Sequence, residues 1–468
     1  MLTGPTARNI TAVNAKVRTA TTLWKILACL LAAYALYAQA ISDWAFGGPD
    51  HRLHYRIDER GNGIMDFSFA GYRSGGVALP SVAVCQRLTP AAGDSTARIQ
   101  AALDKAAGAI VLAPGEYDIA GTLSITHSGV VLRGEKGAVV RLTGQPHRFL
   151  EIHGEGAWRE EGPRSPILDS YVPAGSTSFR VHGASTFHAG DPVLVLRPPG
   201  PTALIRTDRV VDSVNRETIT LDAPLSDALD SRSAPASLVR YSFPGRINEV
   251  GVEGLRIITP FGGLPAVQPQ YSALRMDAVE DGWARDLDIQ ETLNGVAIGP
   301  GAKRLTITNI RITHSAYAGS PAPADFTLHG TQILLDRCRV IGESASPVAT
   351  QPEATGPLVI LNFTADHGGV TSDSPWTAGV LIDGGKFPGA TQSAPGVSFS
   401  NRVGWSVAWN VTSPFVLVQQ PQGAMNWCIG CNGSPVHPLS LYLQQLRDRL
   451  GPDAVRSIGY ADALSKLL

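Results

Sequence analysis

The sequence has no strong excess of charge of either sign. Its 39 lysines and arginines nearly balance its 40 aspartates and glutamates, which leaves a formal net charge of −1 over 468 residues. A nucleic-acid-binding protein needs clustered basic residues to neutralise phosphates, and the sequence shows no such cluster. We therefore predict no nucleic-acid partner. The apolar content of 44% also excludes a largely disordered chain.

Long apolar runs are scarce. The clearest one, residues 26–37, is shorter than the roughly 20 residues that span a bilayer. It follows a basic stretch without acidic residues and precedes a small-x-small site at 38–40, an order typical of a secretory signal. We predict a signal peptide over residues 1–40 and a periplasmic or secreted protein. The alternative is an uncleaved segment that anchors the protein to the inner membrane, facing outward.

Cysteine is too rare for a disulfide scaffold, since only four of the five cysteines lie beyond residue 40. Cys428 and Cys431 have the spacing of half a zinc site, but no second Cys or His pair follows. A buried pair or a local disulfide is the better interpretation. Cys338 falls at an apolar position of a repeated segment and is predicted to lie in the core.

Glycine and proline are plentiful, with 49 and 33 residues, which favours many turns and few long helices. Seven four-residue segments begin 22 to 32 residues apart, and in most of them an apolar residue alternates with a polar one. Alternation predicts strands with one solvated face, and regular recurrence predicts stacked rungs. We predict an all-β parallel β-helix. The segments are 254–257, 286–289, 309–312, 337–340, 362–365, 384–387 and 410–413.

The rungs are interrupted once and flanked by other elements. Asp94 or Ser95 can begin a short helix that covers the first rungs, and a helix over 438–450 is expected to close the far end. The predicted organisation is an irregular segment over 41–80, first rungs over 81–166, a small β insertion over 167–245, main rungs over 246–435 and a capping segment over 436–468.

Several stretches resemble the pectate-lyase-like superfamily, in particular its rhamnogalacturonase/epimerase-like domain. They are 66–80 (DFSFAGYRSGGVALP), 93–103 (GDSTARIQAAL), 111–117 (VLAPGEY) and 129–134 (GVVLRG). The insertion, 404–410 (GWSVAWN) and 426–430 (NWCIG) resemble a poorly characterised bacterial branch. The resemblance implies a right-handed single-stranded β-helix. It does not imply one chemistry, because the superfamily includes lyases, hydrolases, epimerases and non-catalytic proteins.

The alternation places two columns of side chains outward, and neighbouring rungs lie about 4.8 Å apart. One column begins with Gly254 and Asp286, and the other with Arg256 and Asp288. The two aspartates then lie beside rungs that carry basic side chains, an arrangement that suits an anionic sugar chain. The basic residues are Arg311, Arg337 and Arg339.

Two mechanisms use Asp286, Asp288, Arg311 and Arg339 as candidate catalytic residues. In a lyase of the kind that the resemblance implies, the two aspartates hold Ca²⁺ and an arginine neutralises the uronate carboxylate or acts as base. In an inverting hydrolase, two carboxylates roughly 6.5–9.5 Å apart flank the bond, and residues two apart on a strand project about 6.6 Å apart. The candidate substrate-binding residues are Asn309, His329, Arg337 and Trp376.

The alternatives are a non-catalytic polysaccharide-binding protein of an exopolysaccharide or cell-envelope system, and a purely structural, adhesin-like protein. Relatives in the bacterial branch often carry His and Arg just before the tryptophan that Trp376 matches, whereas this chain reads TSDSPW over 371–376. That departure favours binding without cleavage. Outward charges on a solenoid also form solvated ladders worth well under about 1 kcal/mol per pair.

Overall fold

The structure is a computed structural model that describes residues 40–198, 203–260, 270–315, 324–344, 346–431 and 433–468. The predicted signal segment lies outside the described residues except for Ala40. Among the described residues, no helix is long and apolar enough to cross a membrane.

Most described strands wind into one coil, and each full turn passes through three parallel sheets in the order A, B, C. Because every crossover joins parallel strands, the coil is right-handed. Two strands run through the corner from sheet B into sheet C without a break. The parallel β-helix that the sequence predicts is thus confirmed.

Sheet A is half-buried along most of its outer side and runs the length of the coil. Its strands are Leu123–Ile125, Arg148–His153, Ser272–Asp277, Asn294–Ile298, Phe326–Leu328, Val348–Thr350, Val370–Ser372, Val397–Phe399 and Val416–Val418.

Sheets B and C share two strands. Sheet B contains Val84–Leu88, Ala109–Leu112, Val131–Gly134, Gly251–Glu253, the first halves of Trp283–Gln290 and Thr306–His314, Ile333–Asp336, Thr355–Leu361, Ala378–Asp383, Val407–Trp409 and Trp427–Ile429. Sheet C contains Gly115–Ile119, Ala138–Leu142, Arg256–Ile258, the second halves of the shared strands, Arg339–Gly342 and Thr364–Ala365, and bridges at Lys386 and Thr412 continue it.

The inward positions of the repeated segments form the core, as predicted. The first inward set is buried, including Leu287, Ile310 and Cys338, and so is the second, including Ile289 and Ile312. Large aromatic rings fill the later rungs, where the Phe363 ring lies 5.7 Å from that of Phe326 and 6.2 Å from that of Phe387. This continuous apolar stack provides the main driving force for folding.

The leading residue of each repeated segment differs from the prediction. It does not lie on a strand face but at the corner between sheets B and C, where φ is between 50° and 72°. Only glycine adopts this left-handed backbone without strain, and asparagine and aspartate tolerate it better than other residues. The composition of the column is therefore set by the corner. Its members are Gly254, Asp286, Asn309, Arg337, Asn362, Gly384 and Asn410.

Helix α1, Thr96–Leu103, occupies the place of a sheet A strand in the first turn. Its Gln100 side chain donates to the Ser124 carbonyl (3.0 Å) and accepts from the Ser124 amide (2.8 Å). Because Ser124 lies in the edge strand of sheet A, this amide pair satisfies backbone groups that an open edge would leave exposed. The covering role predicted for this helix is confirmed.

The insertion is an antiparallel sheet with its own core, which includes Val193, Ile219 and Leu238. It begins earlier than predicted, because residues 159–166 belong to it and not to the first rungs. A smaller pair joins Tyr171–Val172 to Leu229–Asp230, and a 3-10 turn covers Ala184–Thr186. The main strands are Arg159–Pro166, Ser178–Arg180, Pro192–Arg197, Ile205–Asn215, Thr218–Leu221 and Ser237–Ser242.

The chain beyond the last rung, residues 436–468, forms a segment that we call the strap. It contains helices α2, Leu441–Leu450, and α3, Pro452–Ser457, and the 3-10 helix Ala461–Lys466. The prediction that it covers the far end needs correction. Helix α2 packs on the outer side of sheet B, because that side is apolar and needs burial: Tyr442 and Leu446 share a buried cluster with Leu381 and Val407.

The segment that precedes the rungs lies on the same side of sheet B. Ala40–Ile41 pairs in parallel with Val436–His437, and Ala45–Gly47 forms a hairpin with Leu53–Tyr55. A 3-10 turn, Tyr72–Ser74, follows. The Tyr72 ring packs edge-on against Trp283 at 5.7 Å.

The structure places three of the cysteines as the sequence predicts. Cys428 and Cys431 form a disulfide, which confirms the local pair, and Cys338 is buried, which confirms its core position. Cys85 is exposed.

The corner residue Asn410 anchors the start of the strap to the last rungs. Its amide donates to the carbonyls of Val436 (2.9 Å) and Leu439 (3.1 Å), and its oxygen accepts from the Val436 amide (2.8 Å). We expect Asn410→Ala to lower the free energy of unfolding by about 2 kcal/mol, through lost hydrogen bonds and an unfavourable positive φ.

Asn410→Gly serves as the matched variant, because glycine removes the backbone strain and leaves the lost hydrogen bonds. It is expected to recover about 1 kcal/mol. Urea unfolding followed by circular dichroism measures both values. An Asn410→Ala protein as stable as the wild type would contradict the anchoring role.

Candidate functional site

The outer side of sheet C forms an open groove of about 540 Å³, which we call the C-face groove. A second depression of about 540 Å³, the corner pocket, adjoins it at the B–C corner and is bounded by residues 72–79 and the strap residues 457–459. Asp286, Asn309 and Arg337 line both. Six of the eight predicted site residues meet here: Asp286, Asp288, Asn309, Arg311, Arg337 and Arg339.

The outward column of sheet C has the predicted register. Arg256 pairs with Asp288, Asp288 with Arg311, and Arg311 with Arg339, each as parallel partners on neighbouring rungs. The column continues through Thr364 to Lys386 and Thr412. Side chains in this column are therefore stacked at about 4.8 Å along the coil.

Asp288 is paired with arginine on both sides. The Arg311 Nη2 lies 3.0 Å from its Oδ2, the Arg311 Nε donates to its Oδ1 at 3.3 Å, and the Arg256 Nε lies 3.7 Å from its Oδ2. This hydrogen bond raises the pKa of the Arg311 guanidinium. Asp288 therefore positions Arg311 in the groove, while about half of the Arg311 side chain stays exposed.

Asp286 is not part of this column of alternating charges, because it lies at the B–C corner, where its backbone is left-handed with φ of 57°. Its Oδ1 accepts from the Asn309 amide at 2.5 Å. The separation of about 6.6 Å expected between the two carboxylates assumed a continuous strand. The strand is continuous here, but the positive φ of Asp286 interrupts its extended geometry, so the spacing of about 6.6 Å does not apply and the inverting pair of Asp286 and Asp288 stays a prediction.

The same two residues do not fit a Ca²⁺ site. Calcium needs six to eight oxygen ligands, and the Asp288 carboxylate is already flanked by two guanidinium groups. Within the described part of the chain, no three His, Cys, Asp or Glu side chains come together as a metal site.

The two other arginines have different roles. Arg339 is half exposed and donates to the Asp366 Oδ1 at 3.1 Å, so it faces the groove. Arg337 instead holds the strap: it donates to the Ile458 carbonyl at 3.0 Å, and its guanidinium lies 4.6 Å from the centre of the Tyr460 ring. Its role in substrate binding stays a prediction, because Arg337 also lines both depressions.

Asp336 is the functional candidate that sequence reasoning missed. It is buried, lines the corner pocket, and accepts from Tyr460 Oη (2.5 Å) and Thr308 Oγ1 (3.1 Å). Burial raises the pKa of the Asp336 carboxyl, against the lowering effect of Arg337. A signal was present, because Asp336 is an acidic residue at an outward position of an otherwise apolar strand.

His329 and Trp376 do not reach this site. Both follow strands of sheet A and lie at the side of the coil that faces the insertion. His329 lines a cleft of about 100 Å³ between the insertion and the rungs. Trp376 is partly exposed nearby, with the Arg197 guanidinium 5.7 Å from its ring centre. The structure thus separates the predicted residues into two places.

No family model matches the chain, and no curated protein matches it. Solved structures match at low identity. The tailspike Gp54 of Acinetobacter baumannii bacteriophage AP22, in complex with A. baumannii capsular saccharide, is 14% identical, with a TM-score of 0.42 over 72% of this chain. This chain covers 51% of that tailspike, about half of its length.

Two further matches have similar levels of identity. The polygalacturonase from Erwinia carotovora ssp. carotovora is 16% identical over 75% of this chain and 85% of its own, with a TM-score of 0.39. The tailspike gp49 from Pseudomonas phage LKA1 is 14% identical over 73% and 72%, with a TM-score of 0.27.

Proposed function

We propose that the protein binds an acidic, uronate-containing polysaccharide along the C-face groove. The observation that carries this proposal is the pair Arg311 and Arg339, which are direct partners on neighbouring rungs and are both about half exposed. Like charges directly opposite each other destabilise a sheet. Asp288 and Asp366 each offset part of that repulsion, and a carboxylate bound between the two guanidinium groups offsets the rest and uses their fork geometry.

The shape of the groove supports a polymeric ligand. It is open and runs along the coil, so an extended chain can meet a new rung about every 4.8 Å. The outward positions of the column carry more positive than negative charge: Arg256, Arg311, Arg339 and Lys386 against Asp288.

The proposed location is the periplasm or the extracellular space. The basic, apolar and small-residue order of residues 1–40 supports export. The Cys428–Cys431 disulfide supports it as well, because disulfides persist in oxidising compartments. An uncleaved, outward-facing anchor in the inner membrane is the alternative.

For bond cleavage, we propose Asp286 as the base and Asp336 as the acid. Among the described residues, no arginine pairs with Asp286 as two do with Asp288, and Asp336 keeps a raised pKa beside Arg337 at 2.7 Å, which suits proton donation. In β-elimination, Arg311 and Arg339 would stabilise the charge that develops on the uronate carboxylate. Hydrolysis would use the same two carboxyl groups across the bond.

A non-catalytic binding protein is the second candidate. It is favoured because the side chains predicted to be catalytic already have protein partners: Asp286 has Asn309, Asp288 has Arg311, and Arg339 has Asp366. Such a ladder is rigid and suits recognition. The two candidates differ only in whether a bond is broken, so one experiment separates them.

The test uses residues 41–468 with a panel of uronic-acid and neutral polysaccharides. We expect retention on an acidic polysaccharide and, for the double variant Arg311→Ala/Arg339→Ala, a loss of affinity of about 100-fold or more. Arg87→Ala is the control, because Arg87 forms an exposed ion pair with Glu135 outside the groove. Unchanged affinity of the double variant would refute the proposed binding face.

Cleavage of the polysaccharide is measured in the same samples. Ultraviolet absorbance that rises together with reducing ends indicates β-elimination, and reducing ends alone indicate hydrolysis. Asp286→Asn should then abolish turnover, whereas Asp288→Ala should mainly weaken binding through a misplaced Arg311. Retention with neither signal identifies the binding protein.

A further inference from the structure

The cleft between the insertion and the rungs contains polar side chains without the pairing seen elsewhere in the molecule. His329 and Glu353 line it, and within the described residues neither side chain forms a hydrogen bond or an ion pair. Arg206 also lines it; among the described residues its side chain donates to the Leu204 carbonyl at 3.3 Å, and its charge acts on the Glu160 carboxylate. By contrast, most charged residues of the sheet C column are paired with a neighbour.

The floor of this cleft is rigid. Asp208 accepts from Lys303 Nζ at 2.8 Å and from Tyr241 Oη at 2.7 Å, and Arg246 Nη2 lies 2.9 Å away. Trp158 donates its indole N–H to Asp208 at 3.3 Å, which fixes the ring at the cleft wall. The Trp158 ring, which packs against Phe243 and Arg246, is thus held in place beside His329 and Glu353.

The backbone at Glu353 adds a second observation. It has φ of 63°, a conformation that costs a non-glycine residue about 1 kcal/mol or more. Its amide donates to the Pro375 carbonyl at 3.0 Å, which holds this conformation. The backbone of Glu353 is therefore fixed at the cleft, in a positive-φ conformation that recurs at other turns of the coil.

We propose that this cleft is a second saccharide site that takes a single anionic sugar ring, such as a terminal or branching uronate. This inference rests on the proposed function and deepens it. The Trp158 ring suits the C–H face of a pyranose, Glu353 and His329 suit hydroxyl groups, and Arg206 suits a carboxylate. The cleft encloses about 100 Å³, less than the roughly 150 Å³ that takes one benzene, so one edge of the sugar ring enters it and the rest of the ring stays at its open mouth.

The position of the cleft gives the site a distinct role. Sheets A, B and C follow one another around the coil, so the A–B side, where His329 lies, is opposite sheet C. A polysaccharide in the C-face groove and a sugar unit in this cleft therefore occupy different sides of the molecule. The protein can hold two chains, or a chain and the end of another, at the same time.

The test measures saturation-transfer NMR on residues 41–468 with methyl β-D-glucuronide and, as the matched neutral ligand, methyl β-D-glucoside. We expect both to bind and the glucuronide to bind more tightly. Arg206→Ala should weaken glucuronide binding about ten-fold and leave the glucoside unchanged, because it removes one charged contact. His329→Ala/Glu353→Gln should weaken both about ten-fold.

Arg159→Ala is the control variant, because Arg159 is an exposed arginine on the same insertion and outside the cleft. Thermal unfolding checks that each variant keeps its fold. Arg311→Ala/Arg339→Ala should lose polysaccharide retention and keep monosaccharide binding. Retention of polysaccharide without any monosaccharide signal overturns only the second site, whereas monosaccharide binding without retention overturns only the groove.

Discussion

Replacing Asp208 by alanine should destabilise the protein by about 3–5 kcal/mol. The reason is the burial of its partners: the side chains of Lys303 and Arg246 are 1% and 5% exposed, and Asp208 is the near counter-ion of both, whereas Glu280 lies 3.8–3.9 Å from them. Without it, two cations remain in an environment of low polarity. Because Asp208 belongs to the insertion and Lys303 to a rung, the loss should first loosen the attachment of the insertion.

The pKa of Asp208 also sets the pH range over which its ion pairs stabilise the protein. Burial opposes ionisation of Asp208, but the charges of Lys303 and Arg246 prevail and lower the pKa of its carboxyl. A carboxyl whose pKa is lower in the folded state contributes stability above the unfolded pKa of 3.8, and that contribution is lost as the pH falls further. The attachment should therefore be constant from pH 5 to 8.

Hydrogen exchange measured separately for the insertion and the rungs checks the prediction, together with urea unfolding. Asp169→Ala is the matched control, because Asp169 forms an ion pair with the half-exposed Arg180 on the same insertion and should cost less than about 1 kcal/mol. If Asp208→Ala changed the free energy of unfolding by no more than this control, the network would not be the attachment we describe.

Replacing Asp383 by asparagine should remove the pH dependence of the stability that Asp383 gives to the packing of the strap. Asp383 is fully buried, and its Oδ2 accepts from Ser440 Oγ (2.7 Å) and from the Tyr442 amide (2.8 Å) at the start of helix α2. Its Oδ1 has no hydrogen-bond partner among the described residues. Burial raises the pKa of this carboxyl to about 7, because ionising it would leave a charge without a counter-ion.

The raised pKa of Asp383 in the folded state sets the direction in which the free energy of unfolding changes with pH. The neutral carboxyl of Asp383 contributes stability that is fully present below the unfolded pKa of 3.8 and is lost as the pH rises through about 7. At about 1.4 kcal/mol per pH unit, this loss amounts to at most about 4 kcal/mol. Asp383→Asn keeps an uncharged acceptor, so the variant should match the wild type near pH 4 and exceed its stability at pH 8.

The measurement is the free energy of unfolding of both proteins between pH 4 and 8, with the difference taken at each pH. Differences are needed because burial also raises the pKa of Asp336 and Asp66 and lowers that of His437. Asp453→Asn, an exposed carboxyl on helix α3, is the control and should leave the profile unchanged. A variant that follows the wild-type profile at every pH would disprove the prediction.

The sequence predicted the coil and its register because both depend on one signal, the alternation of apolar and polar residues. Ile289 and Ile312 point inward because the core needs them there, and this fixes Asp288 and Arg311 as neighbours on the outside. The corner column could not be recognised from alternation, since its positive φ is a backbone property. The recurrence of Asn, Asp and Gly at those positions was the available signal.

The strap and the two separate sites depend on contacts that alternation does not encode. The apolar positions of helix α2 predict that one side is buried but not what buries it. The apolar run of the strand Thr355–Leu361 was the sequence signal for a covered sheet B. The strand is buried at every position, as a strand covered on both faces must be. His329 and Trp376 follow strands of sheet A, and sequence spacing could not show which side of the coil their turns face.

The strap also changes how the coil can come apart. In a free solenoid, each repeat contacts only its neighbours, so terminal repeats can fray one at a time. Here the segment after the last rung runs back along the stack and bonds to Asn410, Asp383 and Arg337 in turn, while residues 40–41 pair with residues 436–437. The last rungs are therefore locked from outside, and their unfolding should be a single cooperative event that starts with release of the strap.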